Sequence, residues 1–168
     1  MDADALRSLQ APIKDHYKQD PQAARITLRA QGNIGEGVTC SVETGRALVK
    51  AGLHPGTGGD GLAVCSGDML LQALVACAGV TLNAVATAIG IHLKEARVEA
   101  EGDLDFRGTL GVAKEVAVGF QAIRLRFVLD TNASEEQLAS LLKLTERYCV
   151  VYQTLAKPPA LEVSRVSA

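Results

Sequence analysis

The chain has no tryptophan, and only 4% of its residues are aromatic, which leaves little material for a base-stacking surface. It lacks an excess of either charge: 17 Lys and Arg stand against 19 Asp and Glu, a net −2. A chain so balanced gives no electrostatic reason to expect nucleic acid or an anionic membrane as a partner. No apolar run long enough to cross a bilayer is free of polar interruption; the longest, Ser66 to Ile89, contains Asp68, Gln72, Thr81 and Asn83. The N-terminus, MDADALRSLQAPIKDH, carries early acids and no apolar signal core, so a cytoplasmic protein is expected. There is no CxxC, and His16, His54 and His92 are scattered, so the spacing offers no zinc site. The absence of G-x-S-x-G leaves a serine hydrolase unsupported. Internal repeats and low-complexity tracts are also missing, and 168 residues suit one domain with an adequate core.

What is present is a long, alanine-rich helical pattern with a cysteine near its centre, SGDMLLQALVACAGVTLNAVATAI, opened by Ser66 or Asp68 as N-cap and stopped by Gly90. Before it, Leu6, Leu9 and Ile13 predict a short amphipathic helix between Asp4 and Gln19, closed by Pro21. Alternation predicts one strand over Arg25–Gln31 and another through Val38, Cys40 and Val42, with a Gly/Pro-rich loop from Leu53 to Gly61. After it, Val98, Ala100, Leu104 and Phe106 share one strand face, as do Ile123, Leu125, Phe127 and Leu129. Ser134 with Gln137 forms a capping box at the head of a helix to Arg147, and Leu161–Val166 reads as a short final strand. This order favours an α+β fold with mostly antiparallel sheet. The expected division is an N-terminal helical extension, 1–22, and a single domain, 23–168.

Four cysteines in a reducing compartment are thiols by default, and a disulfide among them would be transient or catalytic. Cys77 follows Leu74 by three residues, Ala73 by four and Leu70 by seven, on the apolar stripe of its helix. An inert core thiol is one reading of it. The other is a partner for Cys149, which lies 72 residues later on a second apolar helix face in ERYCVVYQTL. The Ala and Gly around Cys77 would let that second backbone approach closely. Cys40 reads as core, and Cys65 as a spare or structural thiol ahead of the long helix.

SGDMLLQALVACAG and ERYCVVYQTL, followed by ALEVSRV, resemble the two cysteine segments and closing strand of the OsmC/Ohr family, the osmotically induced and organic-hydroperoxide-resistance proteins. The resemblance covers roughly residues 25 to 166. It implies an intertwined homodimer with antiparallel sheets wrapped around a central pair of cysteine-bearing helices, and active sites at the subunit interface. It also implies a thiol peroxidase: Cys77 attacks an organic hydroperoxide, Cys149 resolves the sulfenic acid as a disulfide, and an external dithiol restores both. No metal or organic cofactor is implied. The family carboxylate ten residues before the reactive cysteine is Gly67 here, with Asp68 the nearest acid; nine helical steps place Asp68 about 180° around from Cys77. Where the family has an arginine turn this chain has Gly32 and Asn33, with Arg29 and Arg46 the nearest substitutes and Arg147 beside Cys149. The family proline after the second cysteine is Val150 here. A non-catalytic protein that holds a small lipophilic ligand, and a thiol redox sensor, are the alternatives to the peroxidase.

Overall fold

The computed structural model describes residues 32–35, 39–44, 47–111 and 113–167, and before them positions 2–5, 8, 11 and 19. The strand expected over Arg25–Gln31, most of the N-terminal helix, and the candidates Arg29 and Arg46 lie outside the described residues. The architecture is α+β. A first sheet orders β1 (Gly32–Gly35), β2 (Thr39–Thr44), β3 (Ala47–Gly52) and β4 (Val64–Cys65). Its first two pairings are antiparallel and its last is parallel. The expected strand through Cys40 is β2; β1, β3 and β4 join it as strands that alternation did not mark.

The long helix α1 is continuous over Ser66–Ile89. By length and composition it could cross a membrane; here it packs on β5 (Leu93–Asp103), α3 (Glu135–Tyr148) and α4 (Val150–Ala156). Its N-cap is Cys65, which makes no side-chain capping bond, so neither Ser66 nor Asp68 holds that position. Gly90 ends it as expected, in the left-handed region at φ 76°, with its own N–H and that of Ile91 closing on the Ala86 carbonyl. A side chain there would be strained, whereas glycine adopts this conformation at little cost.

The second sheet is an antiparallel ribbon of β5 and β6 (Ala122–Thr131). Phe106 does not extend β5 as expected. It opens a single turn, α2 (Phe106–Thr109), capped by the Asp105 carboxylate on the Arg107 N–H. On the ribbon's outer side Arg124 bridges Glu101 and Asp103, and Arg126 also meets Glu101. The Arg124 hydrogen bonds hold the Asp103 carboxyl below the usual carboxylate range. All these groups are exposed, so they favour register more than stability.

The inner side carries the core. Leu74, Ala78, Leu82 and Ala86 recur every fourth residue on α1 and are buried. Leu82 and Ala86 meet Leu141 of α3 and Ile91, flanked by Phe127 and Leu129 of β6. The predicted capping box is present: Ser134 Oγ accepts from the Gln137 N–H, and Gln137 Oε1 from the Ser134 N–H. The helix runs one residue beyond Arg147 and breaks at Cys149, after which α4 starts. The expected final strand is absent. Leu161 and Val163 are 86% and 99% exposed, because no described strand lies beside them to complete the ladder.

Candidate active site

The break between α3 and α4 sets the site. At Cys149 the backbone is extended (φ −73°, ψ 108°), so this residue closes one helix and caps the next. Its Sγ accepts from the Tyr152 N–H at 3.5 Å. Cys149 is 1% exposed, and α4 lies against the middle of α1, which brings Cys149 to Cys77. Cys77, Cys149 and Cys65 are free thiols.

The two sulfurs sit in different surroundings. Burial raises the Cys77 pKa, but hydrogen bonds from the Val151 N–H, the Cys149 thiol, the Val150 N–H and the Thr81 hydroxyl outweigh it. Together they hold Cys77 below the ordinary thiol value, since donors favour the charged form. Cys149 moves the other way. Burial pushes its thiol up, and so does donating its hydrogen to Cys77, against the smaller effect of the Tyr152 N–H. The first proton to leave the pair therefore comes from Cys77, and Cys149 stays a thiol beside it.

Asp68, one of the sequence candidates, is not brought to the thiols. It is exposed at the first turn of α1, beside a depression lined by Leu71, Gln72, Val75, Ala76 and Ala100, and it is not among the groups that act on Cys77. Arg147 sits with its guanidinium 5.5 Å from the Tyr148 ring centroid. His54 caps a short 3-10 turn, where its Nδ1 accepts from the Gly56 N–H, and its ring lies 5.0 Å from that of Phe106. Gly67 faces apolar groups: a Cβ there would stand 3.4 Å from Phe120 Cζ and 3.7 Å from Leu104 Cδ1. Phe120 also lies so close over Gly102 that a Cβ at that position would approach its ring to 2.4 Å. A Cβ at the position expected from the resemblance to hold a carboxylate would thus make ordinary contact with Phe120, Leu104 and the Cys65 sulfur.

An open cavity of about 450 Å³ is walled by Leu74, Phe120, Ile123, Leu125, Phe127, Tyr152 and Leu155, and neither Cys77 nor Cys149 lines it. Leu74 is one turn before Cys77, and Tyr152 is the residue whose N–H bonds Cys149. Its wall is nearly evenly divided between apolar and polar surface, with Gln121 and Glu146 among the lining residues. Among the described residues no group of three or more His, Cys, Asp or Glu could hold a metal ion.

Sequence reasoning did not find the Val150 and Val151 amides or Thr81. Thr81 was visible only as a polar interruption of the apolar run. Val150 was visible as a residue in the place of a proline, and a proline has no N–H to give.

An α+β fold in which a long central helix meets a second cysteine at a helix joint defines a protein of OsmC-like class. The family model described as OsmC-like protein matches residues 58–164, and the chain belongs to that family. Solved structures agree on the fold. An OsmC-like protein from Mycoplasma pneumoniae matches with TM-score 0.66 at 17% identity, over 79% of this chain and 89% of that one. An organic hydroperoxide resistance protein from Elizabethkingia anophelis matches with TM-score 0.65 at 15% identity, over 80% and 91%. One from Legionella pneumophila matches with TM-score 0.63 at 16% identity, over 80% and 92%. Among curated proteins none matches the sequence.

Proposed function

We propose that the protein is a two-cysteine thiol peroxidase for organic hydroperoxides, in line with the peroxide-resistance role that the family suggests. The observation that carries this reading is that Cys77 and Cys149 are free thiols placed near enough for each to shift the ionisation of the other. The Cys77 thiolate attacks the outer oxygen of the hydroperoxide. The O–O bond breaks, the alkoxide takes a proton and leaves as the alcohol, and Cys77 becomes a sulfenic acid. Cys149 then attacks that sulfur, an S–S bond forms, and the hydroxyl leaves as water with the Cys149 proton. A soluble dithiol accepts the S–S bond by exchange and returns both thiols. The cavity beside Leu74 and Tyr152 receives the alkyl part, and each buried methylene contributes about 0.8 kcal/mol. Among the described residues the Val150 and Val151 amides supply the donors in this scheme and Asp68 takes no part; Arg29 and Arg46 stay candidates outside the described residues.

The working form is proposed to be a homodimer of two intertwined copies in the cytoplasm. Val80 on α1 is 73% exposed and Val163 of the tail 99%, and a second copy would cover both. A non-catalytic lipophilic-ligand protein is the second reading, supported by the same cavity and by the apolar packing against Gly67.

Intact mass and free-thiol count after one equivalent of cumene hydroperoxide decide between the two, on wild type and Cys77→Ser. The peroxidase loses two thiols per chain, in a Cys77–Cys149 bond absent from the variant. Persistence of all thiols with the peroxide unconsumed refutes the enzyme and leaves the ligand reading.

A further inference from the structure

Gly102 stands inside β5 opposite Ile123 of β6, on the side of the ribbon that also carries Val98 and Ala100. A glycine inside a strand packs nothing itself and marks the close approach of another group. Here that group is the half-buried ring of Phe120. A Cβ at Gly102 would overlap the Cδ1–Cε1 edge of the ring, and one at Gly67, in the first turn of α1, would stand 3.4 Å from its Cζ. Two glycines on two elements thus form the seat of one ring. The chain is pinned next to it by the Gln121 N–H, which donates to the Asp103 carbonyl oxygen at 2.9 Å. The ring also walls the cavity of about 450 Å³, together with Leu74, Ile123, Leu125 and Leu155. That volume lies in the range of small-ligand sites. On the Gly67 side of the ring, apolar groups continue with Leu104 and the Cys65 side chain.

We propose that Phe120 sets the length of unbranched alkyl chain that the cavity accepts, as an end wall held in its seat by Gly102. This rests on the reading that the cavity receives the alkyl part of the ligand, and names the residue that limits it. Each methylene buried raises affinity about fourfold until the chain meets the ring. Further methylenes then stay in water and add nothing. Gly102 fixes where that limit falls, because a side chain there takes the ring's place and drives it toward the cavity.

The test titrates n-alkanols from hexanol to dodecanol, which are product alcohols of alkyl hydroperoxides. They are added to wild type, Phe120→Ala, Phe120→Leu, Gly102→Ala and the Gly102→Ala, Phe120→Ala double variant. Binding is read on the backbone amide resonances of Ile123, Leu125 and Leu155. In wild type, affinity is expected to climb about fourfold per methylene and then level off. The levelling moves to longer chains in Phe120→Ala, less far in Phe120→Leu, and to shorter chains in Gly102→Ala. The double variant follows Phe120→Ala, since without the ring the added methyl meets nothing. Loss of packing alone would weaken every chain length alike and leave the levelling where it was. A levelling length unchanged in the Phe120 variants, or a wild-type climb that never levels, overturns the role of Phe120 and leaves the cavity a ligand site. Absence of saturable shifts at every length overturns the proposal together with the cavity reading. Alkanols carry no peroxide, so each outcome is independent of whether the wild type turns over cumene hydroperoxide.

Discussion

Cys77 and Cys149 are the same residue type on either side of one contact, and the contact makes them differ. Cys77 takes hydrogen bonds and is held below the ordinary thiol value, while Cys149 gives one and is held above it. The consequences for stability have opposite signs. The contribution of Cys77 is fully present above the ordinary thiol pKa and is lost as pH falls through its lower folded value. That of Cys149 is present below the ordinary value and is lost as pH rises through its higher folded value. Removing the Cys149 hydrogen should therefore raise Cys77: in Cys149→Ala, the pH midpoint for alkylation of Cys77 moves up from its wild-type position. Gly67 makes a second case. Gly67→Glu places a carboxylate where the resemblance expects one, but the Cβ already meets Phe120 and Leu104. The expected outcome is a loss of about 1–3 kcal/mol in urea unfolding and no gain in peroxide consumption.

At the scale of elements, the legible parts were those whose ends carry their own chemistry. Ser134 and Gln137 announce α3 because the cap needs those two side chains at that spacing, and both bonds form. Ser134→Ala should cost about 1 kcal/mol in chemical denaturation. Gly90 stops α1 for an equally local reason. The alternation of Ile123, Leu125, Phe127 and Leu129 is likewise a property of the ribbon's inner side. By contrast, β1 is Gly-Asn-Ile-Gly, with no alternation to read, and exists through its pairing with β2. The α3–α4 break was hidden because LTERYCVVYQTL holds a helical period with neither Gly nor Pro. The tail ALEVSRV failed in the opposite way, since it alternates like a strand and finds no described partner. The meeting of the two cysteines could be anticipated from their apolar faces. The donors around Cys77 could not, because every residue but proline owns an N–H and only the fold decides where it points.

At the scale of the whole molecule, the chain leaves much apolar surface unspent. The buried stripe of α1 uses one side, while Leu70, Val80 and Ile89 remain 38%, 73% and 42% exposed. These exposed apolar side chains, with Val163 of the tail, are what a second copy would cover in the proposed function. Sedimentation equilibrium at micromolar concentration should give a dimer, and a monomer there would leave the proposed interface without support. Oligomeric state and chemistry are separable, since Cys77 and Cys149 meet within one chain.

The separation of 72 positions between those two cysteines carries one more consequence, for heat. A bond across that span would tie the middle of α1 to the head of α4 and remove from the unfolded chain the freedom of a long loop. On the chain-entropy account this is worth about 4 kcal/mol. The oxidised protein should then melt well above the reduced one, so a differential scanning calorimeter would report the redox history of the sample before any thiol is counted.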